Sequence, residues 1–355
     1  FQSIEKDKRI ITSFKRSKGI DNYYLNSIHS STFQLINDFF LILLNLFYYN
    51  SIYFVKRHIQ KYYEPFIDKN NAEREIKYID YLDSSFDFPW RRIGRNLILS
   101  NRNNSRNIFI AMRTSHYNDK KIGVNPQPWR DASIEDICKI INATNEINGE
   151  EKIYCFTNKK VWKEINNMEV NLAKTYFIDE DDADILDYLN KDSLLINNGN
   201  GIGAASFALG IKTLYLHHTV WHFWHTSHSN ALAYPCEFRN SRNKINDLRN
   251  IIKLAFLPEN IPYDFEKNFY NKGVIHNSIS DLDTKDICNS IIETFNLKSL
   301  SERKISNYLG VDFYYSDPKE KYFWELFIKS QPKKLRQFRK RISLNISPGF
   351  LESFI

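Results

Sequence analysis

The chain has 355 residues, which is enough for two domains of ordinary size, each with its own core. Hydrophobic residues make up 42% of it and charged residues 26%, a composition that excludes disorder as a general description. The formal net charge of +7 would suit a partner that carries phosphate. This surplus is too small to indicate DNA binding, and no nucleic-acid partner is expected.

The first part of the chain, residues 1–107, has apolar residues spaced three and four apart and lacks strand signals. Its most apolar stretch, 39–49, is too short for a membrane span and includes Asn45, so a buried helix is expected there rather than membrane insertion. The sequence therefore predicts a helical amino-terminal region that ends in the polar run 101–107.

From residue 108 onward, apolar strands alternate with helical patterns, which is typical of an α/β protein. Ser133 and Asp136 have the spacing of a capping box and predict a helix over 133–145; a second helix is predicted from after Asp283 to Phe295. Strands are predicted at 108–112, 152–156, 175–178, 193–197, 213–216 and 273–276. We assign 108–300 to a Rossmann-like lobe and 301–355 to a helical tail that is strongly basic.

A glycine-rich segment, NNGNGIG at 197–203, follows the predicted strand 193–197 and leads into a helix. Glycines let the backbone approach a ligand closely, and the amides at a helix start favour phosphate. Because one residue rather than two separates the last two glycines, the segment is not the dinucleotide fingerprint, and a nicotinamide cofactor is disfavoured. A tight turn between a strand and a closely packed helix is the alternative. The predicted phosphate-binding residues are Asn198, Asn200, Gly201, Gly203 and Ser206.

Two other strand ends supply ligand-binding candidates. Arg113 follows the strand 108–112, and ligands of open α/β sheets collect at the carboxyl ends of strands, where a guanidinium can bind phosphate through two parallel hydrogen bonds. An arginine paired with a surface carboxylate is the alternative. Thr157 and Asn158, which follow the strand 152–156, are expected to contact the same ligand.

The polar loop after Arg113 carries two candidate catalytic residues. His116 or Asp119 could take a proton from an acceptor hydroxyl, because polar loops after strands are common locations for catalytic groups. Solvated loop residues are the alternative.

A histidine-rich stretch, 217–228, follows the predicted strand 213–216. Histidines spaced along a helix could hold a metal, but no HExxH pattern accompanies them. An aromatic wall around a base or sugar and ordinary packing are the alternatives, and we prefer a strand-end His217 or His218 that faces the cleft. The acidic triplet 182–184 has the shape of a DxD metal motif, although capping of a helix start is favoured. We expect no cofactor and no obligatory metal.

The basic tail and the cysteines bear on location. Basic residues around Leu335 and Phe338 suit a peripheral contact with an anionic membrane surface, and a solvated charged face is the alternative. The four cysteines lie far apart without a Cys-x-x-Cys pair, so they are expected to be reduced thiols in a cytoplasmic protein.

Residues 108–295 resemble a family of bacterial glycosyltransferases encoded with surface-polysaccharide genes and, more distantly, the fucosyltransferase-like GT-B group. The resemblance rests on the order of four segments: IAMR ending at Arg113, RDAS at 130–133 before a helix, LLINNGNGIG at 194–203 with ALGI at 208–211, and His276-Asn277. It implies a GT-B fold in which the carboxy-terminal lobe binds a nucleotide sugar, with 1–107 on the acceptor side.

The expected activity is transfer of a sugar from a nucleoside diphosphate to a hydroxyl of a glycan or lipid-linked acceptor, in the synthesis of a surface polysaccharide. Arg113 and the amides from Asn200 to Gly203 would stabilise the diphosphate as it leaves. The alternatives are an enzyme like the polysaccharide pyruvyl transferases and a non-catalytic protein that binds nucleotide sugars.

Overall fold

The computed structural model describes part of the chain, namely residues 106–114, 131–147, 149, 151–180, 185, 188–200, 202–203, 206, 210–218, 228–235, 238–239, 244–245, 275–276, 278–330, 336 and 341–354. The strands in this part are β1 (Asn107–Ile110), β2 (Lys152–Thr157), β3 (Thr175–Asp179), β4 (Leu194–Asn197), β5 (Lys212–His218), β6 (Ala231–Pro235), β7 (Phe238–Arg239), β8 (Lys244–Ile245), β9 (Ile275–His276), β10 (Lys304–Tyr308), β11 (Val311–Tyr315), β12 (Arg341–Ile342) and β13 (Asn345–Ile346). The α-helices are α1 (Ile134–Glu146), α2 (Lys159–Asn166), α3 (Thr284–Phe295), α4 (Pro318–Ser330) and α5 (Pro348–Phe354).

Seven strands form one sheet in the order β3-β2-β1-β4-β5-β6-β13, and every neighbouring pair is parallel. From β1 the chain moves outward to β3 on one side, and from β4 it moves outward to β6 on the other. The order therefore reverses between β1 and β4, as in doubly wound sheets, whose ligands bind beyond the carboxyl ends of the strands at this point. The predicted α/β class and the Rossmann-like sheet are confirmed.

The core lies between this sheet and the helices α1 and α3. All residues of β1 and β4 are buried, so their near-continuous apolar sequences suit the centre of a parallel sheet. Ile108 and Ile110 of β1 belong to one cluster with Ile137 and Ile141 of α1 and Ile291 of α3. This packing fixes the carboxyl ends of the central strands, where the ligand was expected.

The start of α1 has the capping box that the sequence predicts. The amide of Asp136 donates to Ser133 Oγ at 3.1 Å, and the amide of Ser133 donates to Asp136 Oδ2 at 2.9 Å. The second oxygen of Asp136 accepts from the amide of Ser280 at 2.7 Å and from the Ser278 hydroxyl. One buried carboxylate thus caps α1 and also holds the segment that leads into α3.

The carboxy-terminal region differs from the predicted helical tail over 301–355. The helix α4 is present, but it follows an antiparallel hairpin of β10 and β11, and β12 pairs with β11. β13 then joins β6 at the edge of the main sheet, so the lobe assigned to 108–300 is completed by residues beyond 300. The two-residue strands β12 and β13 are too short to show a period of their own in the sequence.

A buried ion pair fastens the hairpin to the main sheet. Arg303 and Glu320 lie 3.1 Å apart, with side chains 0% and 3% exposed. The guanidinium also donates to the carbonyls of Ser343 and Tyr314, and Glu320 accepts from the amide of Ile346 at 3.1 Å. Because each charge has several partners, the pair links β11, α4 and β13.

Within these residues, no helix combines the length and apolar character that crossing a bilayer requires. The buried helix expected at 39–49, and all of the predicted amino-terminal region except Arg106 and Asn107, lie outside the residues that the structure describes.

Candidate functional site

A cleft of about 340 Å³, counted up to its open mouth, lies at the carboxyl ends of the central strands. That figure includes open solvent, so the cleft is a shallow opening rather than an enclosed pocket. Its polar lining comes from Arg113 and Thr114 after β1, Glu180 after β3, and Asn200 after β4; Phe156 and Ile202 add apolar surface. The cleft thus lies beside the reversal of strand order and joins two of the segments singled out in the sequence.

Asparagine side chains hold the loop after β4 against the end of β1. Asn198 accepts from the amide of Arg113 at 2.8 Å and donates to the carbonyl of the same residue at 3.0 Å. Asn200 Nδ2 donates to the carbonyl of Ala111 at 2.6 Å. These bonds continue the pairing of β1 with β4 past Ile110, so the loop and Arg113 form one connected structure.

Several amides of the glycine-rich loop already have acceptors inside the protein. The amide of Gly199 donates to Asn197 Oδ1 at 2.7 Å. Those of Ile202 and Gly203 donate to Asn200 Oδ1 at 3.1 and 3.3 Å, which is the arrangement of an asparagine that caps a helix start. The Gly203 amide also donates to the Asn200 carbonyl at 3.0 Å, so a diphosphate can reach these two amides only by displacing both Asn200 acceptors.

Two glycines of the loop are required by its own packing. Gly199 has φ of +84°, a left-handed conformation that glycine adopts without strain. At Gly203 an added Cβ would lie 2.8 Å from Asn197 Nδ2 and 3.0 Å from Tyr215 Cε1, and both of these side chains are fully buried. The alternative of a tight turn before a closely packed segment therefore accounts for these two positions.

Arg113 lies in the cleft as an ion pair. Its Nε is 2.8 Å from Asp131 Oδ1, and the two side chains are 9% and 7% exposed. The amide of Ala132 donates to the Arg113 carbonyl at 2.7 Å, so Asp131 is held beside β1 by the backbone as well. The partner predicted in the alternative, a carboxylate, is present, although it is buried rather than at the surface. A phosphate bound here would contact the Arg113 guanidinium in the orientation that Asp131 fixes.

Glu180 is a cleft residue that the sequence analysis did not single out. Its amide donates to the Thr157 carbonyl at 3.0 Å, and its Oε1 accepts from Asn158 Nδ2 at 3.2 Å. Asn158 also caps α2 by accepting from the amide of Val161 at 3.0 Å. Thr157 and Asn158 therefore position Glu180. At the end of β2, Phe156 lines the cleft. Glu180 directly follows β3, and this position was the signal that could have identified it.

Ser206 faces the protein interior. Its hydroxyl is fully buried, donates to the Gly203 carbonyl at 2.7 Å and lies 2.7 Å from Thr213 Oγ1. The buried Tyr215 hydroxyl donates to the same carbonyl at 3.2 Å. Burial raises the pKa of Tyr215, so its hydroxyl keeps the proton that it donates. Ser206 and Tyr215 fix the backbone after the loop.

Several predicted site residues cannot be placed. His116, Asp119 and Gly201, together with the triplet 182–184, lie outside the described residues. His217 and His218 end β5, but the structure describes only their backbone. Within the described ranges, no group of three or more histidine, cysteine, aspartate or glutamate residues is arranged to hold a metal ion.

Four kinds of polar side chain thus line one opening: the guanidinium of Arg113, the carboxylate of Glu180, the hydroxyl of Thr114 and the amide of Asn200. The guanidinium suits an anionic group, and the carboxylate suits a hydroxyl donor. The family models, the curated proteins and the solved structures with which the chain was compared include no match to it.

Proposed function

We propose that the chain is a metal-independent glycosyltransferase of the GT-B class that binds a nucleoside diphosphate sugar in this cleft. The acceptor is a hydroxyl of a glycan or of a lipid-linked saccharide in surface polysaccharide synthesis, at the cytoplasmic side of the membrane. The observation that carries the proposal is the meeting of Arg113, Asn200 and Glu180 around one opening at the reversal of strand order.

The proposed chemistry assigns a role to each charged group. As the bond between the sugar and the diphosphate breaks, negative charge grows on the leaving oxygen, and Arg113, held by Asp131, stabilises that charge. Glu180 accepts hydrogen bonds from hydroxyls of the ribose or of the transferred sugar. His116 or Asp119 takes the proton of the acceptor hydroxyl, whose oxygen forms the new glycosidic bond.

The glycine-rich loop modifies the expectation that its backbone amides bind the diphosphate. The amides of Ile202 and Gly203 donate to Asn200 Oδ1, and Asn200 Nδ2 donates to the Ala111 carbonyl. The diphosphate is therefore proposed to interact chiefly with the Arg113 guanidinium and the Thr114 hydroxyl. This arrangement favours charge stabilisation by one arginine over a phosphate loop built from free amides.

A transfer assay on the full chain tests the proposal. The protein is incubated with UDP-, GDP-, dTDP- and ADP-sugars, and release of nucleoside diphosphate is measured with saccharide acceptors, with and without a chelator. We expect one donor to be turned over and the chelator to have no effect. The substitution Glu180→Gln should raise KM for that donor, while Glu169→Gln, at an exposed position after α2, should not.

Other outcomes separate the alternatives. Turnover of phosphoenolpyruvate instead of a sugar nucleotide would favour the pyruvyl-transferase alternative. A donor that raises the melting temperature without turnover on any acceptor would favour a non-catalytic binding protein. Loss of activity on chelation would contradict metal independence.

A further inference from the structure

The strand β3 lies at one edge of the seven-stranded sheet, and among the described strands it pairs only with β2. The Lys174 carbonyl accepts from the amide of Ile153 at 3.0 Å, and the Glu180 amide donates to the Thr157 carbonyl at 3.0 Å. Because successive residues of a strand direct their backbone groups to opposite sides, every second residue from Lys174 to Glu180 directs them to β2. The amide and carbonyl of Phe177, in the middle of the strand, therefore point outward along the edge.

The sequence of β3 lacks the residues that usually protect an edge strand. It reads TYFID, which contains no proline and no lysine, and its one charged residue is the last. Tyr176 is exposed, and Phe177, whose ring stacks on that of Trp162 at 5.3 Å, is half-buried. An edge strand with such a sequence is a template on which another strand can pair.

Two exposed tyrosines lie beside this edge on one face of the sheet. The ring centres of Tyr176 and Tyr154 are 5.5 Å apart, and those of Tyr188 and Tyr154 are 6.4 Å apart. Tyr176 and Tyr188 are 48% and 44% exposed, so the three rings form one cluster that is partly open to solvent. Tyrosines are enriched at protein interfaces, and covering these rings would be favourable.

The charges at the two ends of β3 are opposite and equally spaced about its middle. Lys174 and Glu180 are each three residues from Phe177, and the exposed Lys174 side chain donates to the Gly149 carbonyl at 2.7 Å. If two copies of β3 pair antiparallel with Phe177 at a two-fold axis, Lys174 of each copy lies directly opposite Glu180 of the other. These are non-hydrogen-bonded positions of the new ladder, where facing side chains approach most closely. A parallel pairing in register would place like charges together, so the strand is complementary to itself in the antiparallel direction.

We propose that β3 is the interface of a homodimer, in which a second copy of the chain pairs antiparallel with it about a two-fold axis through Phe177. The backbone groups of Phe177 exchange two hydrogen bonds with those of the second copy. The facing strand covers Tyr176, and an ion pair of Lys174 with Glu180 at each end fixes the register. Because both copies use the same edge, assembly stops at two copies. Glu180 lines the cleft, so Lys174 of the second copy lies beside the proposed ligand site, but the dimer does not depend on the sugar-transfer activity.

Sedimentation equilibrium of the full chain tests the proposal. We expect a species of twice the chain mass of 42.2 kDa, with a dissociation constant of about 1–100 μM because a one-strand interface is small. Lys174→Glu should raise this constant about 2- to 30-fold, because two cross-strand ion pairs are lost, and repulsion from Glu180 adds to the effect. Lys319→Glu is the matched control, since it makes the same change of charge at an exposed position at the start of α4, and it should leave the constant unchanged.

Tyr176→Lys tests the middle of the strand. Proteins block edge strands with lysine, and the two introduced ammonium groups would lie diagonally across the two-fold axis. This variant should therefore be monomeric at concentrations where the wild type is a dimer. Because Tyr176 is half exposed, its fold should persist, which an unchanged far-UV circular dichroism spectrum verifies. A wild-type chain that is monomeric at about 100 μM, assembly beyond two copies, equal dissociation constants for the wild type and Lys174→Glu, or an undiminished dimer of folded Tyr176→Lys would overturn the proposal.

Discussion

The bond between Asn198 and the end of β1 allows a stringent test of the site's architecture. The substitution Asn198→Asp keeps the shape of the side chain and the oxygen that accepts from the Arg113 amide at 2.8 Å. It replaces the donor that lies 3.0 Å from the Arg113 carbonyl with a second oxygen. Because Asn198 is only 4% exposed, water cannot replace the lost donor. Loss of the bond and an unsatisfied buried carbonyl should together lower the free energy of unfolding by about 2–4 kcal/mol at pH 7.

The effect should depend on pH in a defined direction. Burial and the facing carbonyl oppose ionisation of the introduced carboxyl, so its pKa is higher in the folded than in the unfolded state. The neutral form can donate to the Arg113 carbonyl, and the deficit relative to wild type should therefore shrink as the pH falls from 7 towards 4. Urea unfolding followed by tryptophan fluorescence measures the difference at each pH.

A matched control distinguishes burial from the chemistry of the substitution. Asn166 Nδ2 also donates to a backbone carbonyl, that of Trp162 at 2.9 Å, but in an exposed position. Asn166→Asp should cost at most about 1 kcal/mol, which includes the unfavourable charge at the end of α2. Equal stability of wild type and Asn198→Asp at pH 7 would refute the structural role assigned to Asn198.

Three further predictions concern folding. Gly203→Ala should cost about 1–3 kcal/mol, measured by urea unfolding, because its Cβ would lie 3.0 Å from the buried Tyr215 ring; an unchanged midpoint would contradict this. Glu320→Gln should cost about 3 kcal/mol in the same assay, since it leaves the buried Arg303 charge without its counterion, whereas a neutral effect would show that the pair is dispensable. Burial lowers the pKa of His228 to about 3. Below about pH 6.5 this histidine is therefore protonated in the unfolded state and still neutral in the folded state. Stability should fall by about 2 kcal/mol from pH 6.5 to pH 5 and less steeply in His228→Gln; parallel pH profiles would exclude this role.

The sequence was most informative where an apolar run is continuous or where a helix start carries a capping-box pair. The strands beginning near 108, 152, 175, 194 and 212 and the start of α1 at Ser133 were predicted close to their observed positions. Buried parallel strands leave such runs because both faces are covered. β6, with the sequence ALAYP, was missed because it has no β-branched residue and ends in Pro235. The pairing of β13 with β6 joins residues more than 100 positions apart.

The site was predictable in its position and less so in its detail. Parallel strands end at one edge of a sheet, so Arg113 and the loop at 197–203 could be expected to meet there, and both lie at the cleft. The sequence does not show that Asn197 and Asn200 bind the loop amides, because asparagine competes with ligands for backbone donors only when its side chain is near them. Glu180 was overlooked because an acidic run after a strand also suits helix capping.

Binding of a nucleoside diphosphate at Arg113 is the central claim, and titration calorimetry with UDP, GDP, dTDP and ADP tests it most directly. The double substitution Arg113→Gln with Asp131→Asn removes both charges of the buried pair, so it leaves no uncompensated charge to unfold the protein. We predict that one of these nucleotides binds to the wild-type chain and binds roughly 30- to 900-fold more weakly to the double variant, the equivalent of about 2–4 kcal/mol. Equal affinity for the wild type and a folded double variant, or no binding of any of the four, would contradict the account.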